Sequence, residues 1–293
     1  MRLLRSHRSL AVLAAVGLAV TAITACAPED EAEDKTGEVA EADECATEDL
    51  VLKEDGVLTI GTDSPAYDPW FNDNDPTNGK GYESAVAYAV AEELGFTADQ
   101  VKWIKVGFNS LAKSGEKPFD FDINQISITP ERDEVVDFSE GYYSAAQAVI
   151  ALKGSPAAEA TSLEDLKGLK LGAQTGTTSL TAIREVIQPD QDPAVLDDTN
   201  VAKQQLQNGQ LDAILADLPT AFYISAVEIP DSVLVGQFQV EGGDTEEFGL
   251  LFEQGSELLP CVNLALETLE EDGTLAAIEQ EWLSDVVSVP ELQ

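Results

Sequence analysis

Short apolar runs and helical repeats alternate along the first part of the chain. Residues 57–60, 101–106 and 119–126 are predicted strands, because their apolar side chains form short runs or alternate with polar ones. Residues 81–94 are a predicted helix, since apolar side chains recur at helical spacing and Gly95 supplies a stop. This order of strand, helix and strand predicts a parallel, doubly wound sheet.

The same alternation returns in the second part of the chain. Strands are predicted at residues 169–171 and 213–215. Helices are predicted from about Thr177 to Ile187, over residues 202–206 and after Pro219. We therefore expect a second α/β unit.

Two apolar stretches flank this second unit and predict the crossovers between the units. The first, residues 148–152, ends at a connector of small residues, and the second covers residues 234–240 and is followed by Gly242 and Gly243. The resulting lobe 1 contains residues 50–150 and 246–293, and lobe 2 contains residues 151–245.

Lobe 1 is predicted to end in two helices. Ser256 is the expected cap of the first, which runs to Leu269. Gly273 separates it from a second helix, which carries Leu275 and Leu283 on its apolar face.

The N-terminus has the features of a secretion signal. Three arginines precede an apolar run at residues 10–22 that is too short for a comfortable transmembrane span. Residues 23–26 resemble a lipobox, which predicts removal of residues 1–25 and attachment of a lipid to Cys26; an ordinary signal peptide is the alternative. Residues 26–49 are acidic, contain almost no large apolar side chain and are predicted to be a flexible linker.

Charge and composition remove several classes of function. The chain has 16 Lys and Arg against 55 Asp and Glu, a net charge of −39. Nucleic acid is excluded as a partner, because binding to its phosphates requires a basic patch. The single histidine, His7, lies in the predicted signal, so the mature chain has no imidazole for nucleophilic catalysis or metal binding. We expect no cofactor.

Two cysteines remain once Cys26 is assigned to the lipid. An even pair in an oxidising compartment predicts a disulfide between Cys45 and Cys261. A metal site is the alternative, although two thiolates without further soft ligands bind metal poorly.

The first candidate site follows the strand at residues 119–126. Ser127 and a short helix that begins near Pro130 place small hydroxyl groups beside Arg132. The guanidinium group is a planar fork of donors that matches a carboxylate, so this segment predicts an anion site. The alternative is that Arg132 is a solvated residue paired with Asp133 or Glu134.

A second candidate site lies where residues 171–178 pass from a strand into a helix. Gly172 and Gly176 precede Thr177 and Thr178, whose hydroxyls and free amide groups at the helix start can bind a carboxylate. No lysine follows the glycines, so this is not a phosphate loop. A capped turn without a ligand is the alternative.

Two segments carry a resemblance to a known family. Residues 127–143, SITPERDEVVDFSEGYY, and residues 81–95, GYESAVAYAVAEELG, resemble the family 3 extracytoplasmic solute-binding proteins, which capture amino acids for ABC importers. The resemblance extends over nearly the whole mature domain. It implies the type II periplasmic-binding-protein fold, in which two doubly wound lobes are joined by a two-strand hinge. It also implies a monomer tethered by lipid to the outer face of the cell membrane, with an ABC permease as its partner.

The same resemblance assigns roles to individual residues. It implies that Arg132 and Thr178 bind the ligand's α-carboxylate, and that Asp217, at the tip of a strand, binds the α-ammonium group. An N-cap for the following helix is the alternative for Asp217. Asp63 and Tyr67 match positions of the side-chain pocket.

Three further residues are open to two interpretations or depart from the family pattern. Trp70 or Phe71 is expected to form a wall of the side-chain pocket, or else to belong to the core. Gln125 departs from the pattern, because many relatives have a small residue at this position.

The expected function is therefore capture of a polar amino acid, without catalysis. An enzyme on the same scaffold is the first alternative, because relatives include cyclohexadienyl dehydratases, and Glu83 or Asp63 could then act as acid or base. A sensor module for a membrane receptor is the second.

Overall fold

The structure is a computed structural model that describes residues 45–239, 246–283 and 289–293. The predicted signal peptide, the lipidation at Cys26 and most of the predicted linker lie outside these residues. The end of that linker belongs to the folded part: Thr47–Asp49 forms a 3-10 turn, and the Thr47 hydroxyl donates to the Leu94 carbonyl at 2.8 Å.

Strands and helices alternate as the sequence predicts. The strands are β1 (Leu58–Thr62), β2 (Val101–Lys105), β3 (Phe121–Asp122), β4 (Asp137–Ala145), β5 (Gln147–Leu152), β6 (Leu171–Gln174), β7 (Ala194–Leu196), β8 (Ala213–Asp217), β9 (Ser232–Phe238) and β10 (Glu246–Phe252). The α-helices are α1 (Tyr82–Glu93), α2 (Pro130–Asp133), α3 (Thr178–Ala182), α4 (Thr199–Gln207), α5 (Leu218–Tyr223), α6 (Leu259–Glu271) and α7 (Thr274–Leu283). None of the helices described is long and apolar enough to cross a membrane.

The strands form two mixed sheets, one in each lobe. Sheet 1 has the order β2-β1-β3-β10-β4, and sheet 2 has the order β7-β6-β8-β5-β9. Pairing is parallel among β1, β2 and β3 and among β6, β7 and β8, as predicted. The remaining pairs are antiparallel, and each of them contains β5 or β10, the strands with which the chain enters sheet 2 and returns to sheet 1.

The first crossover lies at Ala146, between β4 in sheet 1 and β5 in sheet 2. The boundary expected after residue 150 therefore falls inside β5, which pairs with sheet 2 from Gln147 onward. The return passage lies between β9 in sheet 2 and β10 in sheet 1, so most of the stretch expected to form it, residues 234–240, belongs to β9.

The C-terminal residues belong to lobe 2, although their place after the two closing helices predicts them in lobe 1. Glu291 forms a parallel bridge with Gln237 of β9, and the Leu292 amide donates to the Gln237 carbonyl at 2.9 Å. Leu292 is buried in the core of lobe 2. The pairing is a single bridge, and so short a segment at the end of the chain gives no periodic signal in the sequence.

Burial on both faces of sheet 2 explains why its strands read as continuous apolar runs. In β5, Val149 and Ala151 pack into one buried cluster, whereas Ala148 and Ile150 pack into another. Successive side chains of a strand point to opposite faces, so both faces of this sheet are covered.

The predicted disulfide is confirmed. Cys45 and Cys261 are bonded, with 5.5 Å between their Cα atoms, and the bond ties the start of the folded chain to α6. The predicted cap of that helix is wrong: Leu258, not Ser256, occupies the N-cap position, and no side chain caps the helix there. Leu258 is buried, so packing fixes this helix start in place of a capping hydrogen bond.

Candidate functional site

A cavity lies between the two lobes, and its lining includes every residue predicted for the site. Those residues are Asp63, Tyr67, Gln125, Ser127, Arg132, Thr177, Thr178 and Asp217. The lining residues that the sequence analysis missed are Phe108, Asn124, Gln147, Gln174, Ser179, Thr199, Leu215, Ala216, Thr220 and Phe248. The two predicted segments therefore meet at one place, although they belong to different lobes.

Arg132 reaches across the cavity from lobe 1 to lobe 2. Thr129 caps α2 by accepting from the Arg132 amide, which fixes the start of this short helix. The guanidinium group donates to the carbonyl oxygens of Ser127 at 2.6 Å and Gly176 at 2.8 Å, and it lies 5.8 Å from the centre of the Phe108 ring. Arg132 is therefore not a solvated surface residue.

The environment of this guanidinium group combines burial with negative charge. Burial lowers the pKa of Arg132, while the carboxylates of Glu246 and Glu131 act in the opposite direction. Among the residues described, Arg132 forms no ion pair with Asp133 or Glu134. Two of its donors bind backbone carbonyls, and Arg132 lines the cavity.

The turn between β6 and α3 faces Arg132. Gly176 has a φ of 76°, a left-handed conformation that favours glycine. Thr177 is the N-cap of α3: its hydroxyl accepts from the Leu180 amide at 3.2 Å and donates to the Gln174 carbonyl at 2.8 Å. Its hydroxyl is thus used within the turn, and Thr178 is the residue whose hydroxyl faces the other lobe.

A carboxylate that the sequence analysis missed occupies the middle of this arrangement. Glu246 Oε1 accepts from the hydroxyls of Ser127 and Thr178, each at 2.6 Å. Glu246 Oε2 accepts from Gln147 Nε2 at 2.8 Å. Glu246 is the first residue of β10, and a single acidic residue at a strand start carries no signal in so acidic a chain.

Asp217 is both a residue of the cavity and a helix cap, the two roles that the sequence leaves open. It lines the cavity at the end of β8, and it is also the N-cap of α5, accepting from the Thr220 amide at 3.0 Å. Burial raises the pKa of Asp217 to about 6, and the nearby Glu246 carboxylate acts in the same direction. A cationic group in the cavity would relieve this cost.

Gln125 connects the cavity lining to a buried acid behind it. Its φ is 46°, a left-handed conformation that a strand cannot include, and β3 already ends at Asp122, so this strand is shorter than predicted. The Gln125 amide donates to Glu83 Oε1 at 2.6 Å, and its side chain also donates to this carboxyl group. Burial raises the pKa of Glu83 to about 7, and Glu83 does not line the cavity.

The part of the cavity on the lobe 1 side is lined by polar and aromatic groups. Asp63 accepts from the backbone amides of Ser64 and Phe108, at 2.6 and 3.0 Å. The Tyr67 hydroxyl and Asn124 Nδ2 are buried without a protein partner in the described part of the chain. These two groups are available to a polar ligand.

Trp70 and Phe71 belong to the core of lobe 1 rather than to the cavity wall. Both side chains are fully buried. Trp70 nevertheless joins the lobes, because its indole nitrogen donates to the Thr220 hydroxyl at 2.7 Å. The aromatic side chains of the wall are those of Tyr67, Phe108 and Phe248.

Comparison with known proteins places the chain in a family. The family described as bacterial extracellular solute-binding proteins, family 3, matches residues 58–285. The L-cystine-binding protein TcyJ of Escherichia coli strain K12 is 31% identical over 234 residues, which are 79% of this chain and 84% of TcyJ.

Solved structures give the same result. An ancestral arginine-binding protein bound to arginine superposes with a TM-score of 0.65 at 33% identity, covering 78% of this chain and 98% of that protein. An ancestral amino acid-binding protein, a precursor of cyclohexadienyl dehydratase, superposes with a TM-score of 0.64 at 30% identity, covering 78% and 95%. The family match includes both sheets and all the cavity residues, and the chain therefore belongs to family 3 of the bacterial extracellular solute-binding proteins.

Proposed function

We propose that this protein binds one polar amino acid in the cavity between its lobes and delivers it to an ABC permease. One observation carries the proposal: Arg132 of lobe 1 and Asp217 of lobe 2 line the same cavity. A zwitterion between them meets an opposite charge at each end, in a site where exclusion of water strengthens hydrogen bonds to charged groups. Relatives named for the binding of cystine or arginine support this assignment.

Each part of the ligand has its own set of partners in this proposal. The α-carboxylate is bound by Arg132, Ser127 and Thr178, and the α-ammonium group by Asp217. Thr177 holds the turn that carries Thr178. The ligand's side chain is directed toward the lobe 1 side of the cavity, where its partners are Asp63, Tyr67, Gln125 and Asn124.

The proposed role is binding without catalysis. Glu83, one candidate for an acid or base, is buried behind Gln125 and accepts from Tyr142 Oη at 2.5 Å, so it has no access to a ligand. Asp63, the other candidate, already accepts from two backbone amides. Glu83 therefore has no approach to a substrate, and Asp63 is proposed as a partner of the ligand's side chain and not as an acid or base.

Ligand binding would act through closure of the lobes. Contacts from both lobes to one ligand favour the closed form, and a permease can recognise that form. We further propose that the protein acts as a monomer on the outer face of the cell membrane, tethered by a lipid at Cys26 after removal of residues 1–25.

Isothermal titration calorimetry of the purified protein against the twenty amino acids tests the proposal. We expect saturable binding of at least one polar amino acid with a stoichiometry of one. The same preparation, incubated with arogenate and with prephenate, should show no turnover. Turnover, or the absence of binding by every amino acid, would contradict the proposal.

The tether has a separate test. The wild-type protein should sediment with bacterial membranes, whereas the Cys26→Ala variant should not. Membrane association of the variant equal to that of the wild type would contradict lipid attachment at Cys26.

A further inference from the structure

The carboxylate of Glu246 lies among the donors that the proposed function assigns to the ligand's α-carboxylate. Ser127 and Thr178 each have one hydroxyl proton, and both protons are directed to Glu246 Oε1. The two hydroxyl oxygens lie 3.2 Å apart, but neither has a second proton for the other. A second carboxylate could therefore bind these hydroxyls only if Glu246 left them.

The third donor to Glu246 is fixed in its orientation. Ser179 donates its hydroxyl proton to Gln147 Oε1 at 2.6 Å, so Gln147 Nε2 points the other way, toward Glu246 Oε2. Gln147 is 1% exposed, which leaves it little freedom to rotate. The pairing of β5 with β8 also fixes the position of Gln147, which is the cross-strand neighbour of Asp217.

These contacts join the two lobes. Glu246 belongs to lobe 1, where it pairs with Ala145 of β4. Two of its three donors, Thr178 and Gln147, belong to lobe 2. A ligand that closes a hinge must contact both lobes. The Glu246 side chain makes such contacts itself.

We propose that Glu246 is an internal competitor of the ligand: its carboxylate takes the place of the ligand's α-carboxylate at Ser127 and Thr178, with Gln147 as its third donor, and it must be displaced before the ligand binds there. This inference rests on the proposed function. Electrostatics supports it, because Glu246 stabilises the charge of Arg132 as a bound carboxylate would, and two carboxylates at one site repel each other.

The direction of the affinity change tests this competition. We expect Glu246→Ala to lower the dissociation constant of the best amino acid found by calorimetry about tenfold, since a charge-assisted competitor has been removed. Glu247→Ala is the matched control, because Glu247 is the next residue, carries the same charge and is exposed. Its dissociation constant should equal that of the wild type.

Two results would overturn the proposal. An unchanged dissociation constant in Glu246→Ala would mean that Glu246 does not compete, and a raised one would mean that Glu246 binds the ligand directly. If Glu246→Ala does not fold, Glu246→Gln removes the charge with little change of shape, and it should also lower the dissociation constant.

A second measurement needs no bound amino acid and therefore separates failure of this inference from failure of the proposed function. Small-angle X-ray scattering without added ligand should give a larger radius of gyration for Glu246→Ala than for the wild type and Glu247→Ala. The reason is that the variant lacks the contacts of Glu246 to lobe 2. An equal radius of gyration in all three proteins would overturn the role of Glu246 in holding the lobes together.

Discussion

The guanidinium group of Arg132 donates a hydrogen bond to the carbonyl oxygen of Gly176 at 2.8 Å, which joins a helix of lobe 1 to a turn of lobe 2. Gly176 can offer its carbonyl in this direction because it adopts a left-handed conformation. The contact places Arg132, which lines the cavity, at the boundary between the lobes, where it can act on a ligand and on closure.

Replacement of Arg132 should abolish amino-acid binding. We expect Arg132→Ala to weaken binding by at least about 3 kcal/mol, more than a hundredfold, because the ligand's carboxylate would lose the only cationic partner among the described residues that line the cavity. Calorimetry with the best ligand measures the change. The control is Arg184→Ala, which removes an exposed arginine of lobe 2. Full binding by Arg132→Ala would contradict the proposed carboxylate site.

Replacement of Asp217 should abolish ligand binding and raise the stability of the fold at pH 8. The pKa of Asp217 rises from 3.8 to about 6 in the folded protein, so the folded state holds this proton more tightly than the unfolded chain. The ionised carboxylate therefore destabilises the fold above pH 6, and this cost disappears as the pH falls toward 3.8. Asp217→Asn removes the charge but keeps a residue that can cap α5.

The measurement is thermal unfolding of the wild type and Asp217→Asn without ligand between pH 8 and pH 4. At pH 8 the variant should be more stable by on the order of 1–3 kcal/mol, and the difference should shrink as the pH falls below 6. Amino-acid binding should be lost at every pH. The sign of this shift would be contradicted if Asp217→Asn were stabilised relative to the wild type less at pH 8 than at pH 4.

Ligand affinity should depend on pH through the same carboxyl group. Below pH 6 Asp217 takes up a proton and can no longer pair with an ammonium group, so the dissociation constant should rise about tenfold for each further pH unit. Glu83→Gln is the control, because the pKa of Glu83 is raised to about 7 but its side chain does not line the cavity. Calorimetry at pH 8, 6 and 5 should give the same slope for this variant. A flat profile in the wild type would remove Asp217 from the ammonium site.

The residues that the sequence identified are those whose local motif is enough to place them. Arg132 follows a capped helix start, Thr178 begins a helix after a glycine turn, and Asp217 ends an apolar strand. The carboxyl ends of parallel strands meet at one edge of a sheet, so such residues fall at the cleft in any doubly wound fold.

The residues that the sequence missed are placed by long-range pairing. Gln147 looks like a polar residue before an apolar run, and it reaches the site because strand register sets it opposite Asp217. Glu246 reaches the same place from a strand that begins far along the chain. No local pattern distinguishes it from the many exposed acids, whereas the antiparallel pairing of β10 with β4 fixes its position.

The disulfide should contribute to stability and leave ligand binding unchanged. It joins residues 216 positions apart, and removal of a native disulfide typically costs on the order of 2–5 kcal/mol. Neither α6 nor the segment at Cys45 lines the cavity. Urea unfolding of Cys45→Ser/Cys261→Ser against the wild type measures the loss, with calorimetry of the best ligand as the control. Equal unfolding midpoints would show that the bond is not formed in solution.

The C-terminal residues should stabilise lobe 2 although they follow the last helix of lobe 1. Leu292 is 4% exposed and packs in the lobe 2 core, so Leu292→Ala should lower the free energy of unfolding by about 2–3 kcal/mol. Glu291→Ala is the matched control, because Glu291 is adjacent but exposed, and its loss should change stability by no more than about 0.5 kcal/mol. Urea unfolding measures both variants. Equal stability of Leu292→Ala and Glu291→Ala would mean that the C-terminus does not pack on lobe 2 in solution, because an exposed leucine and an exposed glutamate are equally dispensable.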